Sequence, residues 1–212
     1  MELESKIHYI TTNAYYSPIF LLREKFMRHL FCIVLSLVLL TGCTPEERGD
    51  TQFFENYFDY CGYAYEGYSV MVDLGEDHPL EDADLLMILD HCDENEVRIP
   101  FYVNDDRSRT WILQVTGRGL HLSHDHRYED GTPYDQNLYG GYTDDEGTMY
   151  KQFFPADERT IEERPARAIN VWSKEFDLEN ELYYYRLYLD GELSYEAEFD
   201  LSRPIPLDDE LI

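Results

Sequence analysis

The stretch His121-Leu122-Ser123-His124-Asp125-His126-Arg127 places three imidazoles and a carboxylate in six consecutive positions of a chain that has only seven histidines. Imidazole and carboxylate are ligands for zinc and related ions, and imidazole also moves protons near neutral pH. Whether three such groups act together depends on the backbone that carries them. On a strand, alternate side chains point to opposite faces, so His121 parts from His124 and His126. The remaining pair stands about 7 Å apart at Cα and could chelate one ion if other ligands came from elsewhere. Glu129, Asp130, Asp135, His78 and His91 are available, and none stands at a diagnostic spacing.

The element that positions the pair is a hairpin, and side-chain parity sets its register. Gly117-Arg118-Gly119 separates the histidines from Trp111-Ile112-Leu113-Gln114-Val115-Thr116. A two-residue Arg118-Gly119 loop pairs Val115 with Leu122, Leu113 with His124 and Trp111 with His126. It gathers Trp111, Leu113, Val115, Leu120 and Leu122 on one face, with His124 and His126 beside Trp111. An odd loop would set Leu120 and Leu122 against Thr116 and Gln114. Extended further, the even register brings Arg109 opposite Tyr128 and Arg107 opposite Asp130, on the histidine face. Two guanidiniums oppose a bound cation unless carboxylates neutralise them. Three readings follow: an ionic cluster closing one end of the core, with Arg107 on Asp130; a metal site on His124 and His126; or a pocket for a polar or anionic ligand that uses Arg107 and Arg109.

The rest of the chain reads as β-rich. Strand-like runs at 63–74, 97–103, 111–116, 120–127, 168–176, 182–189 and 193–201 are separated by Asp, Gly and Asn, a spacing that predicts a single antiparallel β-sandwich or barrel in a mainly β domain. One short helix is expected near 81–92, where Leu85, Leu86, Leu89 and Cys92 recur with helical spacing, and a hydrophobic strand is the competing reading. At the C-terminal end, Tyr183, Tyr185, Leu187 and Leu189 share a face with Leu193, Tyr195, Ala197, Phe199 and Leu201 if a three-residue Leu189-Asp190-Gly191 loop joins them. The double glycine in Tyr139-Gly140-Gly141-Tyr142 points to a bulge or a close backbone approach. Asp144-Asp145-Glu146-Gly147 and Asp93-Glu94-Asn95-Glu96 lack the spaced ligands of an EF-hand and read as solvated turns.

The N-terminal part has a different character. The apolar run from Leu30 to Leu40 is too short to span a bilayer as a helix, follows Arg23, Lys25 and Arg28, and ends in Leu40-Thr41-Gly42-Cys43. This layout resembles the signal peptide and lipobox of bacterial lipoproteins. The resemblance implies cleavage before Cys43, a diacylglycerol thioether on its sulfur, and residence in the bacterial cell envelope. Thr44 after the cysteine implies outer-membrane sorting, facing the periplasm. With Met27 as the working start, 1–26 is a non-structural extension, 27–42 the signal peptide, 43–52 a polar tether and 53–212 the globular domain. The membrane is then a partner through the lipid alone, since two or more chains suffice for stable attachment.

Seventeen basic against 44 acidic residues give a net charge of -27, and the part from Cys43 onward keeps 13 against 41. Such a surface repels nucleic acid and anionic headgroups. Cys61 and Cys92 are the thiols left in an oxidising compartment and form a disulfide candidate. No Gly-x-Ser-x-Gly elbow, phosphate-binding glycine loop, His-Glu-x-x-His or Cys-x-x-Cys occurs, which leans away from an enzyme. No cofactor is expected beyond the lipid, with a metal as the exception. The series Trp111, Gly119-Leu120, His124 to Arg127, Asp130-Gly131-Thr132, Tyr139-Gly140-Gly141 and Phe154-Pro155-Ala156-Asp157 is similar to a group of uncharacterised exported bacterial proteins, a likeness that carries no activity with it. The expected function is therefore a lipid-anchored, strongly acidic binding or structural module. The alternative is a metal-binding protein or metal-dependent hydrolase using His124 and His126.

Overall fold

Alternation of apolar and polar residues folds most of this chain into one antiparallel barrel, seen in a computed structural model that describes residues 49–208 and Leu211. Cys43, the signal-like segment, the N-terminal extension and the first part of the tether lie outside the described residues. Among the described residues twelve strands follow one another: β1 (Tyr63–Val72), β2 (Asp84–Leu89), β3 (His91–Cys92), β4 (Glu96–Val103), β5 (Asp106–Thr116), β6 (Gly119–His126), β7 (Tyr139–Tyr142), β8 (Lys151–Pro155), β9 (Asn170–Asp177), β10 (Leu182–Leu189), β11 (Glu192–Asp200) and β12 (Ile205–Pro206). Their order across the sheet is β7-β6-β5-β4-β2-β1-β11-β10-β9-β8, with β3 continuing β2 along β4 and β12 adding to β1. From β1 to β7, and again from β8 to β11, each strand lies beside a sequence neighbour, and β11 returns to β1. This is an up-and-down meander, a topology that leaves few exposed edges as the sheet closes.

The remaining seam, between β7 and β8, is closed by a single bridge from Gly141 to Ala156. Glycine is required there. A Cβ on Gly140 would stand 1.7 Å from the Leu122 carbonyl oxygen, and one on Gly141 would stand 1.8 Å from that of Pro155. The Thr160 hydroxyl accepts from Gly140 N at 2.8 Å and donates to Gly140 O at 3.0 Å, so the peptide groups at the seam stay satisfied. Thr160 belongs to the short helix α2 (Glu158–Glu163), which Asp157 caps by accepting from Thr160 N at 2.8 Å.

Inward positions are almost all apolar, including Met87 and Leu89 of β2, Val97 and Ile99 of β4, Leu113 of β5, Leu122 of β6, Phe154 of β8 and Phe199 of β11. One end of the barrel is plugged. There α1 (Gly49–Glu55) and the 3₁₀ turn Asn56–Tyr60 insert Phe53 and Tyr57 against Phe176 and Tyr183, and the Tyr57 and Tyr183 hydroxyls hydrogen-bond at 2.6 Å. Helix α1 thus includes 49–52, part of the segment expected to be tether, and carries Phe53 and Phe54 into the core. Cys61 and Cys92 are joined at this same end, with Cα atoms 6.3 Å apart and 31 residues of separation. In the chain-entropy picture a loop of that length is worth roughly 3 to 4 kcal/mol.

Three expectations need correction. The segment near 81–92 is strand, not helix: Leu85, Met87 and Leu89 point inward between β1 and β4, and those long pairings outweigh the helical spacing of its leucines. The β10–β11 connection is a two-residue Asp190-Gly191 turn with φ of 52° and 82°, and a bulge between Leu187 and Tyr188 on the ladder absorbs the odd residue. In the histidine hairpin the loop is Gly117-Arg118, so Trp111 faces His124, Leu113 faces Leu122 and Arg109 faces His126. The pairing differs by two from the expected one, so parity and faces are preserved.

Candidate functional site

At the end opposite the plug, the barrel opens into a cup of about 530 Å³. Its floor is aromatic. Trp111 of β5 stacks on Phe101 at 4.4 Å between ring centroids and contacts Tyr185 of β10 at 4.3 Å, and Trp172 of β9 completes the wall. Leu74, Pro79 and Leu80 from the β1–β2 connection, Arg164, and Arg167 and Ile169 from the 3₁₀ turn Pro165–Ile169 that follows it form the rim.

His124 and His126 both line this cup, and both are committed to neighbours. His124 is buried with its ring parallel to Tyr139 at 4.7 Å. Its Nδ1 lies 3.1 Å from the Tyr139 carbonyl, an acceptor only, so this nitrogen carries the proton. The unprotonated Nε2 then accepts from the Tyr185 hydroxyl at 2.7 Å. His126 Nε2 shares a 3.1 Å hydrogen bond with the Tyr139 hydroxyl. Burial, followed by the nearby cations, holds His124 well below the ordinary imidazole range and brings His126 down to about 4. Both are neutral at physiological pH. Leu138, at φ 55°, occupies a left-handed conformation that is costly for its side chain and turns the chain so that Tyr139 enters the cup.

His121 points the other way, as its parity requires. On the outer wall its Nε2 pairs with the Asp157 carboxylate at 3.0 Å and its Nδ1 hydrogen-bonds the Ser123 hydroxyl at 3.2 Å. Asp125, on the same outer face, is buried between Arg127 and Asn137, whose side chains donate to it at 2.8 and 2.6 Å.

Of the arginines singled out from sequence, Arg109 enters the cup and Arg107 does not. Arg109 is tied at the rim to Asp106. Arg107 stands beyond the end of the inward alternation, over the outward ring of Tyr102 at 5.0 Å. Asp130 lies in an exposed turn, accepting from Thr132 N and its hydroxyl, and no ion pair joins it to Arg107 among the described residues. The expected Arg107–Asp130 contact is therefore corrected: both line an outer cleft with Tyr128 and Tyr134. His78 lies at the rim of the cup, accepting from Leu80 N at 3.3 Å, whereas His91 is exposed beside Asp93 at the plugged end. Glu129 and Asp135 are exposed. Among the described residues no group of three His, Cys, Asp or Glu side chains is placed to hold a metal ion.

Arg164 and Arg167 are the cations that sequence reasoning missed. Arg164 donates to the Gln136 side chain at 2.9 Å, and the Arg167 guanidinium lies 3.4 Å from the Tyr139 ring centroid, forming an Arg167–Tyr139–His124 column. Neither makes an ion pair among the described residues. Among the described residues no carboxylate lines the cup itself, Asp106 pairing with Arg109 at its rim, although the chain as a whole has a net charge of -27. Local sign and global sign are thus opposed. No protein family and no curated protein matches this chain.

Proposed function

We propose that this chain is a lipid-anchored, acidic envelope protein whose barrel is a receptor for a small ligand with an apolar body and a negatively charged group. The single observation carrying the binding half is the cup: aromatic walls of ligand size and three arginines, of which Arg164 and Arg167 have no carboxylate partner among the described residues. An apolar body gains contact with Trp111, Trp172, Phe101 and Tyr185. A carboxylate, phosphate or sulfate gains the planar donors of Arg167 and Arg164, which have no acidic partner to displace. The acidic exterior opposes the approach of an anion, but its field decays over about 10 Å in 0.1 M salt, while the arginines act at contact.

The Leu40-Thr41-Gly42-Cys43 resemblance supports the anchor. Intact mass of the protein extracted from membranes tests it. A chain beginning at an acylated Cys43 is expected, and an unmodified Cys43 or another first residue overturns that half. For the binding half, Arg109→Gln and Arg167→Gln are each expected to weaken an anionic amphiphile about 10- to 100-fold, since a hydrogen bond to a charged group contributes about 1.5–3 kcal/mol. Unchanged affinity in both variants overturns it. The metal alternative draws less support: both nitrogens of His124 are engaged, and the cations beside His126 disfavour another positive charge.

A further inference from the structure

Lys174 of β9 is the least expected residue in the barrel. It shares inward parity with Trp172 and Phe176, has no solvent exposure, and its Nζ has no hydrogen-bond partner among the described residues. The amine is enclosed by rings instead, with centroids at 3.6 Å for Trp111, 5.0 Å for Tyr185 and 5.5 Å for Tyr183. Trp111 and Tyr185 also line the cup, so one layer of aromatic side chain separates the amine from the ligand space. Burying a polar group without a partner is costly, and a methionine here would fill the space without that cost.

We propose that Lys174 is a concealed carbonyl-capture site: an aldehyde or ketone on a ligand admitted through the cup condenses with its Nζ to form an imine. The cup already has arginines for anions, so the chemistry left for a lysine is that of its lone pair. Burial favours the free amine, moving Lys174 well below its usual value. In the step, the nitrogen lone pair attacks the carbonyl carbon and a C–N bond forms. The carbonyl oxygen then takes up two protons from the nitrogen and leaves as water, and a C=N bond remains. No oxidant or reductant is consumed. The hydrogen-bonded Tyr185 hydroxyl and His124 Nε2, on the cup side of the same layer, can relay these protons. The movement required is a swing of the Trp111 indole out from between Phe101 and Tyr185.

The inference rests on the cup being a ligand site, and its test separates the two ideas. The full chain is incubated at neutral pH with benzaldehyde or decanal plus cyanoborohydride, and modified lysines are located by peptide mass mapping. Only four lysines are present, at 6, 25, 151 and 174, and Lys151 is ion-paired with Glu175 at 3.0 Å. Lys174 is expected to be alkylated about tenfold faster than Lys151, and Trp111→Leu, which thins the cover, to accelerate it further. Label confined to the other amines, with Lys174 reacting only in unfolded protein, overturns the proposal. If an anionic amphiphile still binds in that case, carbonyl capture fails and the cup reading stands. If nothing binds, both fail. Mapping of the unmutated chain decides the matter even if Trp111→Leu does not fold.

Discussion

His124 and His126 are held neutral by burial, and that has a measurable consequence. Below pH 6.5 the unfolded chain takes up protons on His124 and His126, while the folded chain refuses them until pH falls much further, to about 4 for His126. Because the folded values are depressed, stability is full above pH 6.5 and declines as pH falls, by about 1.4 kcal/mol per unit for each histidine. Urea unfolding at intervals from pH 6.5 to 4 checks this: His126→Asn should flatten the slope by about one histidine's share, and an unaltered slope contradicts it. The sequence carried part of this site. Strand parity turns His121 away from His124 and His126, and does so whichever even register the hairpin adopts. It could not fix Arg107 and Asp130, because alternation loses force at a strand end, where Arg107 is free to lie over Tyr102. Lys174 was legible by the same parity as Trp172 and Phe176, but a lysine is normally an outward residue, and nothing in the sequence near it marks the exception.

At the scale of elements, the seam between β7 and β8 is the weakest join and depends on two glycines. The double glycine is visible in the sequence as a sign of close backbone approach, and the structure supplies the partners, Leu122 O and Pro155 O. Gly141→Ala is expected to cost about 3 kcal/mol or more, because a methyl group at 1.8 Å from the Pro155 carbonyl oxygen must push β7 and β8 apart. Thermal unfolding measures it, and a melting temperature within a degree or two of the parent contradicts this account of closure. The β2 segment shows where local pattern fails. Asp-Leu-Leu-Met-Ile-Leu is apolar almost throughout, so helical and strand periodicities both fit, and only the flanking β1 and β4 decide. In the β10–β11 hairpin the shared face was readable, but not how the odd residue is accommodated, since a three-residue loop and a two-residue loop with a bulge satisfy parity equally.

For the molecule as a whole, the mainly β fold follows from many short alternating strands, and its closure follows from a meander long enough to return β11 to β1. The sign of charge is partitioned: carboxylates cover the outside, where Glu175 and Glu196 also pair with Lys151 and Arg186, and the cup keeps Arg164 and Arg167 without a carboxylate partner among the described residues. Composition reveals the first half of that arrangement and conceals the second, because three rim arginines vanish in an average over 212 residues. The central claim is that the cup selects for negative charge on an apolar ligand. Calorimetric titration with decanoate and with decanamide, matched in shape and differing in charge, tests it most directly. The carboxylate is expected to bind at least about tenfold more tightly, with the gap closing in the Arg109→Gln/Arg167→Gln double variant. Equal affinities for the two ligands, or no binding of either, would contradict it.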